Sequence, residues 1–180
     1  MRLLEAILPS RRGTYERAGF MLYAQAVAAA RQPLFYAEYG VADTLDGRFD
    51  LVALFAALVI ERLRTASAPG PQLAQAVFDA MFSDMDVTLR EIGVGDLSVG
   101  KKVRKMWEAF HGRALVYGAA LQAADEVALA TAIARNIWRG NPPPEGAAGF
   151  LACHALNVHR DLASQSLEAL ARGEIRLVAP

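Results

Sequence analysis

Three patterns in the chain have residue types that could do chemistry. The first is Gly95-Asp96-Leu97-Ser98-Val99-Gly100-Lys101, which matches the first seven positions of a phosphate-cradling P-loop. In that motif backbone amides surround the phosphates and a following Ser or Thr holds magnesium. Here the eighth position is Lys102. The motif must also follow a strand, whereas a helical pattern and the turn Gly93-Val94-Gly95-Asp96 come before it. Nucleotide binding is therefore not expected. The second pattern is Glu108-Ala109-Phe110-His111, a Glu-x-x-His. A di-iron bundle needs two such pairs and two further glutamates on facing helices, and no second pair occurs. The third is Cys153 beside His154. Adjacent side chains on a helix point apart, so the thiol reads as a core residue, not an activated nucleophile. His154 and His159 are five apart and do not share a helical face. These residues give no catalytic constellation, no metal site and no cofactor. The chain is expected not to be an enzyme and to work by binding another protein.

Two charged features carry more information. Lys101, Lys102, Arg104 and Lys105 cluster in the first turns of a helix. Cations there oppose the helix dipole, and Lys101 and Lys105 repel at i,i+4. Glu108 can relieve Arg104 or Lys105. Four cations near free helix amides suit an anion: ribosomal RNA, lipid headgroups or an acidic protein. A plain solvated face is the equal alternative. In the preceding helix, Asp86 and Arg90 form a favourable i,i+4 pair. Asp84 and Glu91 share a face beside Leu73, Val77 and Met81. Acids at an apolar edge need partners, and Arg48 or Arg113 are the expected ones; a partner-binding role is the alternative. The same helix has a wide apolar arc. Phe78, Met81, Phe82 and Met85 suit either the core or an adaptable groove for an apolar client.

The elements that must position these residues are helical. Residues 14–31 read as a first helix with Phe20, Tyr23, Ala24 and Val27 as its apolar face. Pro33 opens a short second helix that Gly40 ends. A third runs to about Arg64, apolar nearly all round and so central. After Ala68-Pro69-Gly70-Pro71, a helix covers 72–91, with Phe78, Phe82, Met85, Leu89 and Ile92 at helical spacing. The next keeps Val99, Val103, Met106, Phe110, Ala114, Tyr117 and Leu121 on one face. Another spans about 125–138, and after Asn141-Pro142-Pro143-Pro144 a last helix runs to about Arg172, with Gly173 as its stop. The expected fold is all-α: a single-domain bundle of about six to seven helices over residues 14–173. Residues 1–13 and 174–180 are tails, the latter extended.

Composition supports this. The 180 residues are 54% hydrophobic, enough for a real core, and carry 19 basic and 19 acidic side chains. Zero net charge gives no global field to steer the chain to nucleic acid, and no specific DNA partner is expected. One cysteine excludes an internal disulfide. The N-terminal apolar run is too short for a signal peptide, and the longest apolar stretch, 49–60, is too short to cross a membrane.

Longer strings carry a family resemblance. They are Ala30-Arg31-Gln32-Pro33-Leu34-Phe35-Tyr36, then Tyr39-Gly40-Val41-Ala42-Asp43-Thr44-Leu45-Asp46-Gly47-Arg48-Phe49-Asp50, then Phe78-Asp79-Ala80-Met81-Phe82-Ser83-Asp84-Met85-Asp86 continuing through Leu89-Arg90-Glu91-Ile92 into Gly93–Lys101, and Phe110-His111-Gly112-Arg113-Ala114. With these the chain resembles the ubiquinol–cytochrome c chaperone family, which assists assembly of the cytochrome bc1 complex. The resemblance implies an all-helical, non-enzymatic chaperone that binds newly synthesised cytochrome b. In mitochondria, members act with a small partner chaperone near the ribosome exit tunnel. This chain lacks their longer N-terminal extension and looks like the compact bacterial form, working in the cytoplasm at the inner face of the inner membrane. On this reading the Phe78–Met85 face meets the client, with Asp84 and Glu91 beside it. The basic turn at Lys101, Lys102, Arg104 and Lys105 would meet the ribosome or the anionic membrane surface. Two competing readings are a metal- or cofactor-binding bundle enzyme using Glu108 and His111, and a structural homodimer.

Overall fold

A computed structural model describes residues 11–180, with side chains from Tyr15 onward. The tail expected at the N-terminus lies almost wholly outside the described residues. Among the described residues eight helices follow one another: α1 (Arg11–Ala30), α2 (Pro33–Ala37), α3 (Leu45–Arg64), α4 (Gly70–Glu91), α5 (Asp96–Ala123), α6 (Glu126–Ile137), α7 (Ala147–Ser164) and α8 (Leu167–Ala171). There is no strand among the described residues. The fold is the expected all-α bundle, and α2 and α8 are single-turn pieces within it.

The central helix is α3. Thr44 caps it, its hydroxyl accepting from the Gly47 amide at 3.2 Å. Fourteen of its twenty residues are buried, and it touches α1, α4, α5, α6 and α7. A helix that is apolar all round has no face left for water, so its neighbours must surround it. The one acid inside that apolar run, Asp50, is buried and held by two arginines. Arg113 of α5 donates at 2.6 Å, and Arg139 just after α6 donates at 2.6 and 3.0 Å. Buried charge persists only when paired and hydrogen-bonded. Asp50 therefore fixes α3, α5 and the end of α6 against one another.

The helix α1 is rotated from the sequence expectation. It buries Ala18, Leu22, Tyr23, Ala26 and Ala30, while Phe20 is 49% exposed and Ala24 is exposed. The cause is close approach to α4. A Cβ on Gly19 would lie 2.6 Å from the Ala76 carbonyl carbon. Small residues let two helix backbones meet, so the small face goes inward and part of the larger apolar face is left outside.

The last helix is broken where the sequence suggested one piece. Gln165 is extended and ends α7, and the Ser166 hydroxyl caps α8 by accepting from the Ala169 amide at 3.2 Å. Gly173, at φ +80°, ends α8 as expected. The tail that follows is docked. The Gln165 side chain donates to the Arg176 carbonyl at 2.7 Å and accepts from its amide at 3.0 Å. Ile175 and Leu177 pack against the core.

Candidate functional site

The helix α5 is the wall between two grooves. On one side it faces α4 and the end of α3. Phe78 and Phe82 of α4 are half-buried, with ring centroids 4.8 Å apart, and both meet Phe110 of α5. His111 presents its edge to Phe78 at 5.5 Å and lies 4.0 Å from Trp107. Phe78, Trp107, Phe110 and His111, together with Ile60, Ala114 and Leu115, line an open groove of about 780 Å³. Trp107 is 44% exposed and Leu115 75%. One end of the groove is polar. Glu61, 6% exposed, receives Arg64 at 2.8 Å and Gln122 at 2.6 Å. Gly118 makes room for it, since a Cβ there would sit 3.1 Å from Glu61 Oε2.

This arrangement sorts the α4 residues singled out by the sequence. Phe78 lines the groove. Phe82 supports it from behind through Phe110. Met81 is fully buried and Met85 is 7% exposed, both in the core cluster. The four therefore do not form one open face. The arc is wide because α4 packs against α1, α3 and α5 together, which takes the methionines inside.

Asp84 and Glu91 also separate. Glu91 is exposed at the end of α4. Asp84 is half-buried and accepts from the Tyr23 hydroxyl at 2.7 Å. Neither expected arginine reaches it: Arg48 pairs with Asp43 at 2.6 Å and Arg113 with Asp50. The partner is a phenol because α1, not α5, lies over this part of α4. Burial first, and then Asp84, raise the Tyr23 pKa well above its usual value. The expected Asp86–Arg90 pair is present at 2.7 Å.

The basic cluster lies on α5 but divides between its faces. The helix starts at Asp96 with Gly95 as N-cap, so the lysines begin beyond the first turn, where the dipole has faded. They do not share the free terminal amides. Arg104 pairs with Glu108 at 3.0 Å, and Lys101 is exposed. Lys102 and Lys105 instead line a second groove of about 790 Å³, with Arg113 of α5 and with Arg135, Asn136 and Arg139 from the end of α6. Phe49, Leu89 and Met106 form its apolar floor. Arg135 and Arg139 were invisible as site residues in the sequence because they lie in another helix and the turn after it.

The patterns that suggested enzyme chemistry resolve differently. The P-loop-like residues after Gly95 are helical, so no phosphate-wrapping loop forms. Glu108 faces Arg104 and His111 faces aromatic rings. Cys153 is exposed, not in the core, and His154 is buried among Phe35, Phe55 and Phe150. Among the described residues no three His, Cys, Asp or Glu side chains gather in a metal-holding group, and no helix is long and apolar enough to cross a membrane.

The residues missed by the sequence reading are Trp107 and Leu115. Their signal was present: with Phe110, His111 and Ala114 they recur at helical spacing on a face adjacent to the buried one.

Comparison with known proteins agrees with this architecture. A search of curated proteins finds no match. The crystal structure of the Cbp3 homolog from Brucella abortus superposes with a TM-score of 0.81 at 38% identity, covering 93% of this chain and 92% of that one. The sequence model for ubiquinol-cytochrome C chaperones matches residues 37–177, from the end of α2 through the docked tail and so across both grooves. An all-helical bundle matched over residues 37–177 belongs, by that match, to the ubiquinol–cytochrome c chaperone family.

Proposed function

We propose that this chaperone holds newly synthesised cytochrome b during biogenesis of the cytochrome bc1 complex, and that the aromatic groove between α4 and α5 is where it does so. The observation that carries the reading is the open apolar groove itself. Trp107 and Leu115 stand partly in water beside Phe78. Contiguous exposed apolar surface on a monomer marks a place where another apolar surface docks. A segment of a membrane protein waiting for its bilayer is such a surface. Aromatic rings suit it because they bury much area and have few rotamers to freeze. The Glu61–Arg64–Gln122 group at one end satisfies itself, so it offers a polar stop without an orphaned charge. No bond-making group is needed in a groove that only holds and releases.

The test is capture of tagged protein from respiring cells, with photocrosslinkers at positions 111 and 119, which also line the groove, blotting for cytochrome b. Crosslinks that appear during translation and are lost with Trp107→Ala and Leu115→Ser support the reading. Cytochrome b absent from the captured material, with the crosslinkers active, would overturn it.

A further inference from the structure

The α1–α4 crossing leaves a third groove, of about 670 Å³, that the holding of a client does not use. One wall is the outer side of α1, and the other is Ser83, Asp84 and Val87 of α4. The turn of α1 toward the Gly19–Ala76 contact is what leaves Phe20 here. Phe20 and Val87 are each 49% exposed, and Val27 is half-buried. Ala24 and Ala28, both exposed, keep the α1 side low. Contiguous apolar surface of this kind marks a docking face.

Its two charges say what docks. Among the described residues the lining holds one cation, Arg31, and one anion, Asp84, and neither makes an ion pair. Asp84 Oδ2 accepts from the Tyr23 hydroxyl, and Oδ1 accepts no hydrogen bond among the described residues. The two charges do not serve each other, since Arg31 is eight residues beyond Tyr23, about 12 Å along α1. Their placement is symmetric about Val27. Tyr23, which holds Asp84, is four residues before it, and Arg31 is four after it. Rows of residues four apart are the ridges that interlock where two helices cross. A second α1 crossing this one antiparallel at Val27 would bring its Arg31 opposite Tyr23 and Asp84, and its Asp84 opposite Arg31. A two-fold interface repeats each contact, so one Arg31 and one Asp84 per chain make two ion pairs.

We propose that this face is a dimer interface: a second copy of the chain packs α1 against α1 about a two-fold axis near Val27, with Arg31 of each copy on Asp84 of the other and Phe20 and Val87 covered. A copy of the chain carries both signs at the required spacing. A purely apolar segment would bury Arg31 and Asp84 without partners, which is costly. The pairing leaves the aromatic groove free. Phe78 and Val87 are nine residues apart on α4, about two and a half turns, so they point to opposite sides of that helix. The dimer therefore presents two aromatic grooves on its outer sides, and the inference does not depend on what those grooves hold.

Sedimentation of the full chain at micromolar concentration tests it. The protein should sediment at twice the mass of one chain. Arg31→Glu sets like charges together and should weaken the dimer at least about thirtyfold. Arg31→Glu combined with Asp84→Arg restores opposite charges and should recover most of that loss. Val87→Glu, at an exposed position, should give a monomer with unchanged circular dichroism. Leu115→Ser, in the aromatic groove, should leave the mass alone. A photocrosslinker at position 83 should join two copies. A monomeric wild type would overturn the proposal, and so would a dimer indifferent to both Arg31→Glu and Val87→Glu, or one dissolved by Leu115→Ser. A folded double variant that recovers nothing would also overturn it. Crosslinks from position 83 to residues 1–10 of the same chain, or to an unrelated protein, would give the groove another occupant and end the proposal too.

Discussion

The Tyr23 hydroxyl donates to Asp84 across the α1–α4 crossing at 2.7 Å, in a groove lined also by Phe20, Val27 and Val87 and by Arg31 and Ser83. The half-buried carboxylate takes its hydrogen bond from one phenol. Tyr23→Phe removes the donor and leaves the acid behind, so it should cost about 1–3 kcal/mol in urea unfolding. Tyr23→Phe combined with Asp84→Leu should cost less than the sum of the two single changes. A double-mutant cycle with zero coupling would show the pair to be idle.

Asp50 makes a stronger prediction. Asp50→Ala leaves Arg113, 12% exposed, without its carboxylate, and loss of one partner of a buried pair costs about 3–5 kcal/mol. Arg139→Ala should cost clearly less, because the arginine is 44% exposed and Asp50 keeps Arg113. Chemical denaturation of both variants checks the order.

The Gly19 crossing predicts an overpacking effect. Gly19→Ala places a methyl group against the Ala76 backbone, and such insertions cost about 1–3 kcal/mol. Helix propensity alone would favour the alanine. A destabilised variant therefore shows that backbone contact decides, and a stabilised one shows that α1 yields.

Stability should fall on the acid side of neutrality. Burial lowers the pKa of His154, and of His159, where Glu61 opposes the shift and Arg160 adds to it. No charged group offsets the shift at His154, which sits among aromatic rings. The unfolded chain takes up these protons near the ordinary value of 6.5 while the folded chain stays neutral. Stability is thus full above about pH 6.5, declines as pH drops below it, and stops declining once pH passes the lowered folded values. His154→Leu should flatten the decline. Thermal melts from pH 7.5 to 5 would show it, and an unchanged slope would remove His154 as its source.

The architecture was legible because period and punctuation agree. The all-round apolar pattern of 49–60 made α3 central, and Gly40, the Pro69–Pro71 break and Gly173 fell at helix limits. The site was legible only in part. Lys102 and Lys105 were visible as charge, but their companions Arg135 and Arg139 come from elsewhere in the chain, and no local pattern links them. Asp50 was visible as an anomaly within an apolar run, without its partners. Met81 and Met85 looked like a client surface because a helix packed on three neighbours has a wide apolar arc. Periodicity reports that an arc is apolar and not which part a neighbour covers. The rotation of α1 was set by backbone contact at Gly19, which a hydrophobic pattern does not register.

The grip of Gln165 on both backbone groups of Arg176 makes the end of the chain a latch. It joins the break between α7 and α8 to the docked residues Ile175 and Leu177. An affinity handle appended after Pro180 would hang beyond that latch and leave both faces of α5 accessible. Truncation ahead of Arg176 would undo it and loosen the α7–α8 corner.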